Sequence, residues 1–166
     1  MPPSNPPNNS SPPIFTGSCA CKRVRYTSTS LPSQILNCHC TECRKASGGP
    51  YQSWSRNKVS DITWTENPPH SQQTSEYATR GFCSNCGSSM SMQYISEPDM
   101  IGIPAGTIDD ESLKEGGEKK ELPRPAHHIF LREKASWFEV PDDGLERWEG
   151  FTAEMEELYN LWTKKK

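Results

Sequence analysis

Six consecutive residues, Cys38-His39-Cys40-Thr41-Glu42-Cys43, constrain this chain more than anything else in it. Three thiols in so short a span are aimed at one point by a single backbone turn. Thiolate is a soft ligand suited to zinc, and zinc prefers four ligands in a tetrahedron. Three ligands from the chain leave one corner for water or substrate, the arrangement that separates a catalytic zinc from a structural one. Along an extended segment Cys38 and Cys40 point one way and His39 the other. His39 is therefore assigned to packing or to support of the ligands.

Four more cysteines lie outside this cluster. Cys19-Ala20-Cys21 stands near the start of the chain, and Cys83-Ser84-Asn85-Cys86-Gly87 has the form of a zinc knuckle. In such a knuckle, two thiols spaced by two residues let backbone amides turn toward the sulfurs while the following glycine takes a positive φ. Setting the central three of the seven cysteines aside leaves four, the number that closes a tetrahedral structural site. Spacing alone also allows other pairings, such as Cys38 and Cys40 with Cys83 and Cys86.

Composition makes metal the natural support for the fold. Only 32% of the 166 residues are hydrophobic, and the mean hydropathy is -0.83. The apolar core is then small for the length, and bound metal supplies folding free energy directly. The N-terminus shows no basic region followed by an apolar run, and nothing approaches the roughly 18 apolar residues of a membrane span. A cytoplasmic, reducing location is expected, where close-spaced cysteines hold metal more often than disulfides. Seven thiols are also an odd number for a disulfide framework. The formal net charge of -3 argues against a nucleic-acid partner.

Residues 1–13 hold six prolines and nothing to bury, so a disordered tail is expected there. Residues 14–141 read as the zinc-binding domain. Short β-type runs (Val24 with Tyr26, Ile35-Leu36, Ile62 with Trp64, Met90 with Met92 and Tyr94, Ile101 with Ile103, Ile129-Phe130-Leu131, Trp137 to Val140) alternate with turn residues, as in a small antiparallel β protein. The charged stretch from Asp109 to Pro125 reads as a surface excursion. In residues 142–166 the period changes. Leu145, Trp148, Phe151, Met155, Leu158, Tyr159 and Trp162 predict an amphipathic helix packed on the domain, with Asp142 and Asp143 as capping carboxylates and Lys164, Lys165 and Lys166 at its end.

Other candidates are weaker. His127 and His128 lie beside an expected strand, where a structural role comes first, and His70 sits in a proline-rich loop. Arg44 and Lys45 follow the cysteine triplet and are placed to lower thiol pKa values or attract an anion. Tyr51, Trp54 and Trp64 divide between core packing and lining a pocket. No residue stands out as a general base, so proton transfer is expected to pass through water.

Taken in order, Gly17-Ser18-Cys19-Ala20-Cys21, Val24-Arg25-Tyr26, Cys38-His39-Cys40-Thr41-Glu42-Cys43-Arg44-Lys45-Ala46-Ser47-Gly48 and Phe82-Cys83-Ser84-Asn85-Cys86-Gly87 resemble the glutathione-dependent formaldehyde-activating enzyme family, which includes centromere protein V. His128-Ile129-Phe130 with Trp137-Phe138 is similar to the family's C-terminal strand pair. The resemblance implies a mainly β chain, a β-tent fold of small antiparallel sheets organised around zinc, to which this sequence adds a C-terminal amphipathic helix. It implies two zinc ions: a structural one on Cys19, Cys21, Cys83 and Cys86, and a catalytic one on Cys38, Cys40 and Cys43 with an open position. One departure is visible, since the family carries glycine after its first cysteine pair where this chain has Lys22.

The activity so implied is that of a carbon–sulfur lyase, forming or cleaving an adduct such as S-(hydroxymethyl)glutathione from a small-molecule thiol (glutathione or similar) and a small electrophile such as formaldehyde. Two alternatives remain at this stage. One is a non-catalytic zinc-organised binding module, which a basic segment would favour and the acidic balance does not. The other is a lyase acting on a larger secondary-metabolite thiol adduct. Neither a nucleic acid nor a membrane is expected as a partner.

Overall fold

In the computed structural model, which describes residues 13–114 and 120–164, alternation of buried and exposed side chains sets the strands. β1 (Phe15–Ser18), β2 (Arg25–Ser28) and β5 (Ile62–Glu66) form a three-stranded antiparallel sheet in the order β1-β2-β5. Phe15 and Tyr26 turn inward from it with rings edge to face at 6.4 Å, and burying two such aromatic side chains is a large share of so thin a core.

The remaining strands join one eight-stranded sheet. They are β3 (Gln34–Cys38), β4 (Gln52–Lys58), β6 (His70–Gln73), β7 (Ala78–Phe82), β8 (Ser89–Tyr94), β9 (Met100–Pro104), β10 (Pro125–Ile129) and β11 (Glu146–Arg147), in the order β11-β10-β3-β4-β9-β8-β7-β6. The mainly β architecture holds, but this sheet is larger than expected and mixed, because β10 runs parallel to both β3 and β11. Parallel neighbours require long crossovers, and here nearly the whole middle of the chain lies between β3 and β10.

Register decides what each face carries. Leu36 lies opposite Trp54, Arg56 opposite Gly102, Met92 opposite both Gly102 and Arg80, Tyr94 opposite Ala78, and Cys38 beside Ile129. Because paired residues share a face and side chains alternate along a strand, these residues form one continuous surface. A hydrophobic cluster of Leu36, Cys38, Cys43, Trp54, Ala78, Met92, Ile129, Phe130 and Met155 covers it. A second cluster (Phe15, Tyr26, Met90, Ile103, Ile108 and neighbours) joins the small sheet to the large one.

Two helices complete the frame. α1 (Thr41–Ser47) is capped at its N-terminus by Cys40, whose sulfur accepts from the Cys43 amide, and is stopped by Gly48 at φ 71°. α2 (Ala153–Thr163) is capped by Thr152, whose hydroxyl accepts from the Met155 amide. The helical period read from Leu145 is thus realised only from Ala153. Earlier residues go to β11 and to the Trp148 and Gly150 backbone bonds with β10 and Phe130. Asp143 does not cap the helix; its carboxylate faces His128. An eleven-residue helix is marginal in isolation, so α2 stands by packing, with Phe151 and Tyr159 against Phe130, Tyr77 and Tyr94.

Two further expectations change. Trp137 to Val140 is not a strand: the Phe138 amide turns back to the Ala135 carbonyl, and Trp137 stands 70% exposed. β10 finds its second neighbour in β11 instead. The stretch after Asp109 begins as a docked 3-10 turn, Asp110–Lys114, with Ser112 and Leu113 buried and Asp109 accepting from Thr16 and Ser18. Residues 1–12 of the expected tail, and Lys165 and Lys166, lie outside the described residues.

Candidate metal centres

The chain brings its cysteines together in two groups, Cys19, Cys21, Cys83 and Cys86 in one and Cys38, Cys40 and Cys43 in the other, each with all sulfurs within 4.8 Å of one another. The pairing of Cys38 and Cys40 with Cys83 and Cys86 is not formed. In the group of four, the Cys19–Cys21 and Cys21–Cys83 sulfurs are 3.5 and 3.7 Å apart. Four sulfurs at about 2.3 Å from one zinc lie roughly 3.8 Å from each other, so the donor set and its spacing fit that ion.

Local backbone explains the geometry. After β7, Cys83 and Ser88 close a turn in which the Gly87 amide donates to the Cys83 carbonyl, with Gly87 at φ 75°. Between β1 and β2, the Lys22 amide donates to the Cys19 carbonyl and the Val24 amide to the Cys19 sulfur at 3.3 Å. Lys22 sits at φ 62°, where the family has its glycine. The position demands the left-handed conformation, and here a Cβ is carried into it. A hydrogen bond from the Ser88 hydroxyl, with backbone donors, holds the exposed Cys86 thiol down at about 5.

The group of three is built from the end of β3 and the first turn of α1. Extended backbone at Cys38 and Cys40 points both sulfurs to the cleft face, and the helical turn returns Cys43 to them. Among the described residues no fourth histidine, cysteine or carboxylate ligand atom joins the group. Cys43 accepts from the Trp54 indole N–H at 3.4 Å and from an Arg80 guanidinium N–H at 3.7 Å. Hydrogen bonds from Cys38 and Cys40, aided by Trp54 and Arg80, hold the Cys43 thiol down at about 3 despite its burial. Cys38 moves the other way, well above the usual thiol range, because its hydrogen bonds with Cys40 and Cys43 and its burial favour the neutral form. The set therefore gathers negative charge first on one sulfur, held by two donors, and a bound soft metal would draw the other two to thiolate as well.

Arg80 was not legible as a site residue. It lies on β7, held by Glu42 and by Thr74 (2.6 Å), and only the register of Arg80 with Met92 directs it to the thiols. Arg44, the nearer candidate in sequence, instead donates to the His39 carbonyl and the Thr41 hydroxyl. Of the aromatic candidates, Trp54 serves the site, Tyr51 packs beside His39 and Phe138, and Trp64 packs on Tyr26.

On the opposite face from the thiols, His39 and His128 are buried and joined Nε2 to Nδ1 at 2.8 Å, and His128 Nε2 meets the Asp143 carboxylate at 2.9 Å. The carboxylate fixes the tautomers: His128 donates to Asp143 through Nε2, so its Nδ1 accepts from His39. Burial, followed by the nearby His128, lowers His39 to about 4. His39 thus anchors the ligand segment from behind.

A cleft opens beside Cys38. Cys38, Leu36, Trp54, Met92, Tyr94 and Ile129 line it, Met155 of α2 roofs it, and its free volume is about 40 Å³. Gly102 lies at its floor, where a Cβ would come within 3.3 Å of the Trp54 ring. The paired Arg56 and Glu97 close the far end.

An uncharacterized lyase of Schizosaccharomyces pombe (strain 972 / ATCC 24843) is 28% identical over 82 residues, 49% of this chain and 59% of the relative. The chain thus matches well under two thirds of that relative's length. A crystal structure of a Rhodobacter sphaeroides protein aligns with a TM-score of 0.48 and 21% identity, over 66% of this chain and 98% of the other. Among the described residues no helix is long and apolar enough to cross a membrane. The model of one family, described as glutathione-dependent formaldehyde-activating enzyme, matches residues 14–133, most of the chain. The chain belongs to the glutathione-dependent formaldehyde-activating enzyme family.

Proposed function

We propose that this protein is a zinc-dependent carbon–sulfur lyase that forms or cleaves the adduct of a small thiol and a small aldehyde, S-(hydroxymethyl)glutathione being the type case. The observation that carries the reading is the group of three thiols, one of which, Cys38, lines an apolar cleft, with no fourth protein ligand among the described residues. Family membership and the lyase name of the yeast relative support it. Cys38, Cys40 and Cys43 would hold the reactive zinc, and Cys19, Cys21, Cys83 and Cys86 the structural one. A zinc ion bound to the three thiols supplies Lewis acidity that lowers the pKa of an incoming thiol.

In the forward direction the thiol sulfur bonds to the aldehyde carbon, the C=O π bond opens, and the thiol proton ends on the oxygen. The reverse breaks the same bond and returns the proton to sulfur. Trp54 and Arg80 donate to Cys43 and so draw charge from a sulfur-rich ligand set, which would otherwise blunt its acidity. Leu36, Ile129, Met92 and Met155 exclude water from the reacting carbon. About 40 Å³ accommodates only a few water-sized groups, at roughly 10–15 Å³ each. That space suits a one- or two-carbon electrophile and disfavours a bulky one. The thiol's remaining atoms then lie outside the cleft.

Metal content and turnover test the reading together. Wild-type protein is expected to carry two zinc ions per chain and to accelerate formation of the formaldehyde adduct of glutathione. Cys40→Ser is expected to keep about one zinc and lose the acceleration. Two zincs with undiminished turnover in that variant would overturn the assignment, and adduct formation no faster than without protein would remove the reaction itself.

A further inference from the structure

Tyr94 ends β8 with its side chain on the cleft face, two residues after Met92 and opposite Ala78. It lines the same cleft as Cys38, and with Cys40 it packs on the cluster that contains Cys38 and Cys43. Its ring is held on two sides, by Tyr77 with centroids at 6.3 Å and by Phe151 at 5.8 Å. Tyr94 is half-buried, and its hydroxyl is not one of the buried polar atoms left without a partner among the described residues. The other polar side chains around the cleft are engaged: Trp54 with Cys43, Arg56 with Glu97, Ser55 with the Ile103 carbonyl. Tyr94 brings to the cleft a hydroxyl that no other lining side chain engages.

A phenol is protonated at neutral pH, with an ordinary pKa near 10. In an apolar setting such a donor is strengthened by low dielectric and is costly to leave unpaired. An aldehyde or hydroxymethyl oxygen is the one polar atom of a one-carbon electrophile, and it accepts.

We propose that the Tyr94 hydroxyl is the hydrogen-bond donor that receives the oxygen of the substrate in the cleft beside Cys38, orienting the carbon toward the incoming sulfur. The proposal rests on the thiol–aldehyde reading above and adds a residue to it. As the carbonyl opens, charge grows on that oxygen, and a donor already held in place by Tyr77 and Phe151 stabilises it without reorganisation. The proton of the thiol still ends on the oxygen, and Tyr94 keeps its own.

The test is a comparison of two thiols of equal size, 2-mercaptoethanol and propane-1-thiol, titrated calorimetrically into zinc-loaded wild type and Tyr94→Phe. Only the first carries an oxygen. The affinity ratio of the two thiols is expected to fall about tenfold in Tyr94→Phe, the loss of one hydrogen bond into an apolar site. Propane-1-thiol should bind both proteins alike, which shows that the cleft and its metal survive the change. An unchanged ratio overturns the role of Tyr94 and leaves thiol binding standing. Failure of zinc-loaded wild type to bind either thiol overturns the thiol–aldehyde reading, and the role of Tyr94 with it.

Discussion

Lys22 shows how much one backbone angle matters in a fold with so little apolar core. The turn that presents Cys19 and Cys21 requires a left-handed residue, and Lys22 occupies it at φ 62°. A side chain in that region costs about 1–2 kcal/mol, part of which glycine returns through its greater freedom in the unfolded chain. Lys22→Gly is therefore expected to stabilise the zinc-loaded protein by about 1 kcal/mol, seen as a higher guanidinium midpoint at unchanged slope. A fall in the midpoint would show that the lysine side chain contributes more than its backbone costs. The same position shows what was legible in the sequence. Comparison of Lys22 with the usual glycine marked a turn under constraint, and the count of the cysteines together with the family resemblance marked the two groups. Arg80 and Tyr94 were different. Nothing local distinguishes an arginine in Ala78-Thr79-Arg80 from any surface cation, and only strand register carries it to Cys43.

Among the elements, α2 was foreseen as a helix from its period but misplaced in its start, because the pattern of Trp148 and Phe151 is satisfied equally by a chain running back along β10. Its contribution to the site is one side chain. Met155 is 8% exposed and roofs the cleft, so its bulk limits the length of the electrophile. Met155→Ala is expected to cost about 2 kcal/mol, the low end for such a truncation because the site already borders free space. It is also expected to raise kcat/KM for propanal about tenfold while formaldehyde changes by less than threefold. Equal loss on both aldehydes would mean that the helix supports the cleft without gauging its contents. The strand read at Trp137 to Val140 failed for a complementary reason. Aromatic and β-branched residues there suit a strand, but Phe138 is drawn to the buried rings of His39 and Tyr51, and tertiary packing overrides a short run's preference.

For the molecule as a whole, the group of four thiols is a second tie between sheets that a hydrophobic cluster also joins. Cys19 and Cys21 belong to the small sheet, Cys83 and Cys86 to the hairpin between β7 and β8 of the large one. The interface between the sheets also has an apolar part around Phe15, Tyr26 and Ile103, so loss of metal should loosen the small sheet first rather than dissolve everything together. Treatment with a strong chelator is expected to speed amide exchange in β1, β2 and β5 at least tenfold before the centre of the large sheet, at β4 and β9, responds. Simultaneous exchange of both sheets would indicate a single cooperative unit. The sheet order itself was beyond reach of the sequence, since no local pattern reveals that a strand from residue 125 onward will lie beside one that ends at Cys38.

That late partner sets a timetable for synthesis. β3 has one neighbour, β4, as soon as the chain has reached Lys58, but its other edge stays bare until Ile129 has left the ribosome. The backbone that carries Cys38, and the imidazole behind it that leans on His128, is consequently finished only once β10 has emerged. A chain stopped short of β10 displays an open strand beside reactive thiols.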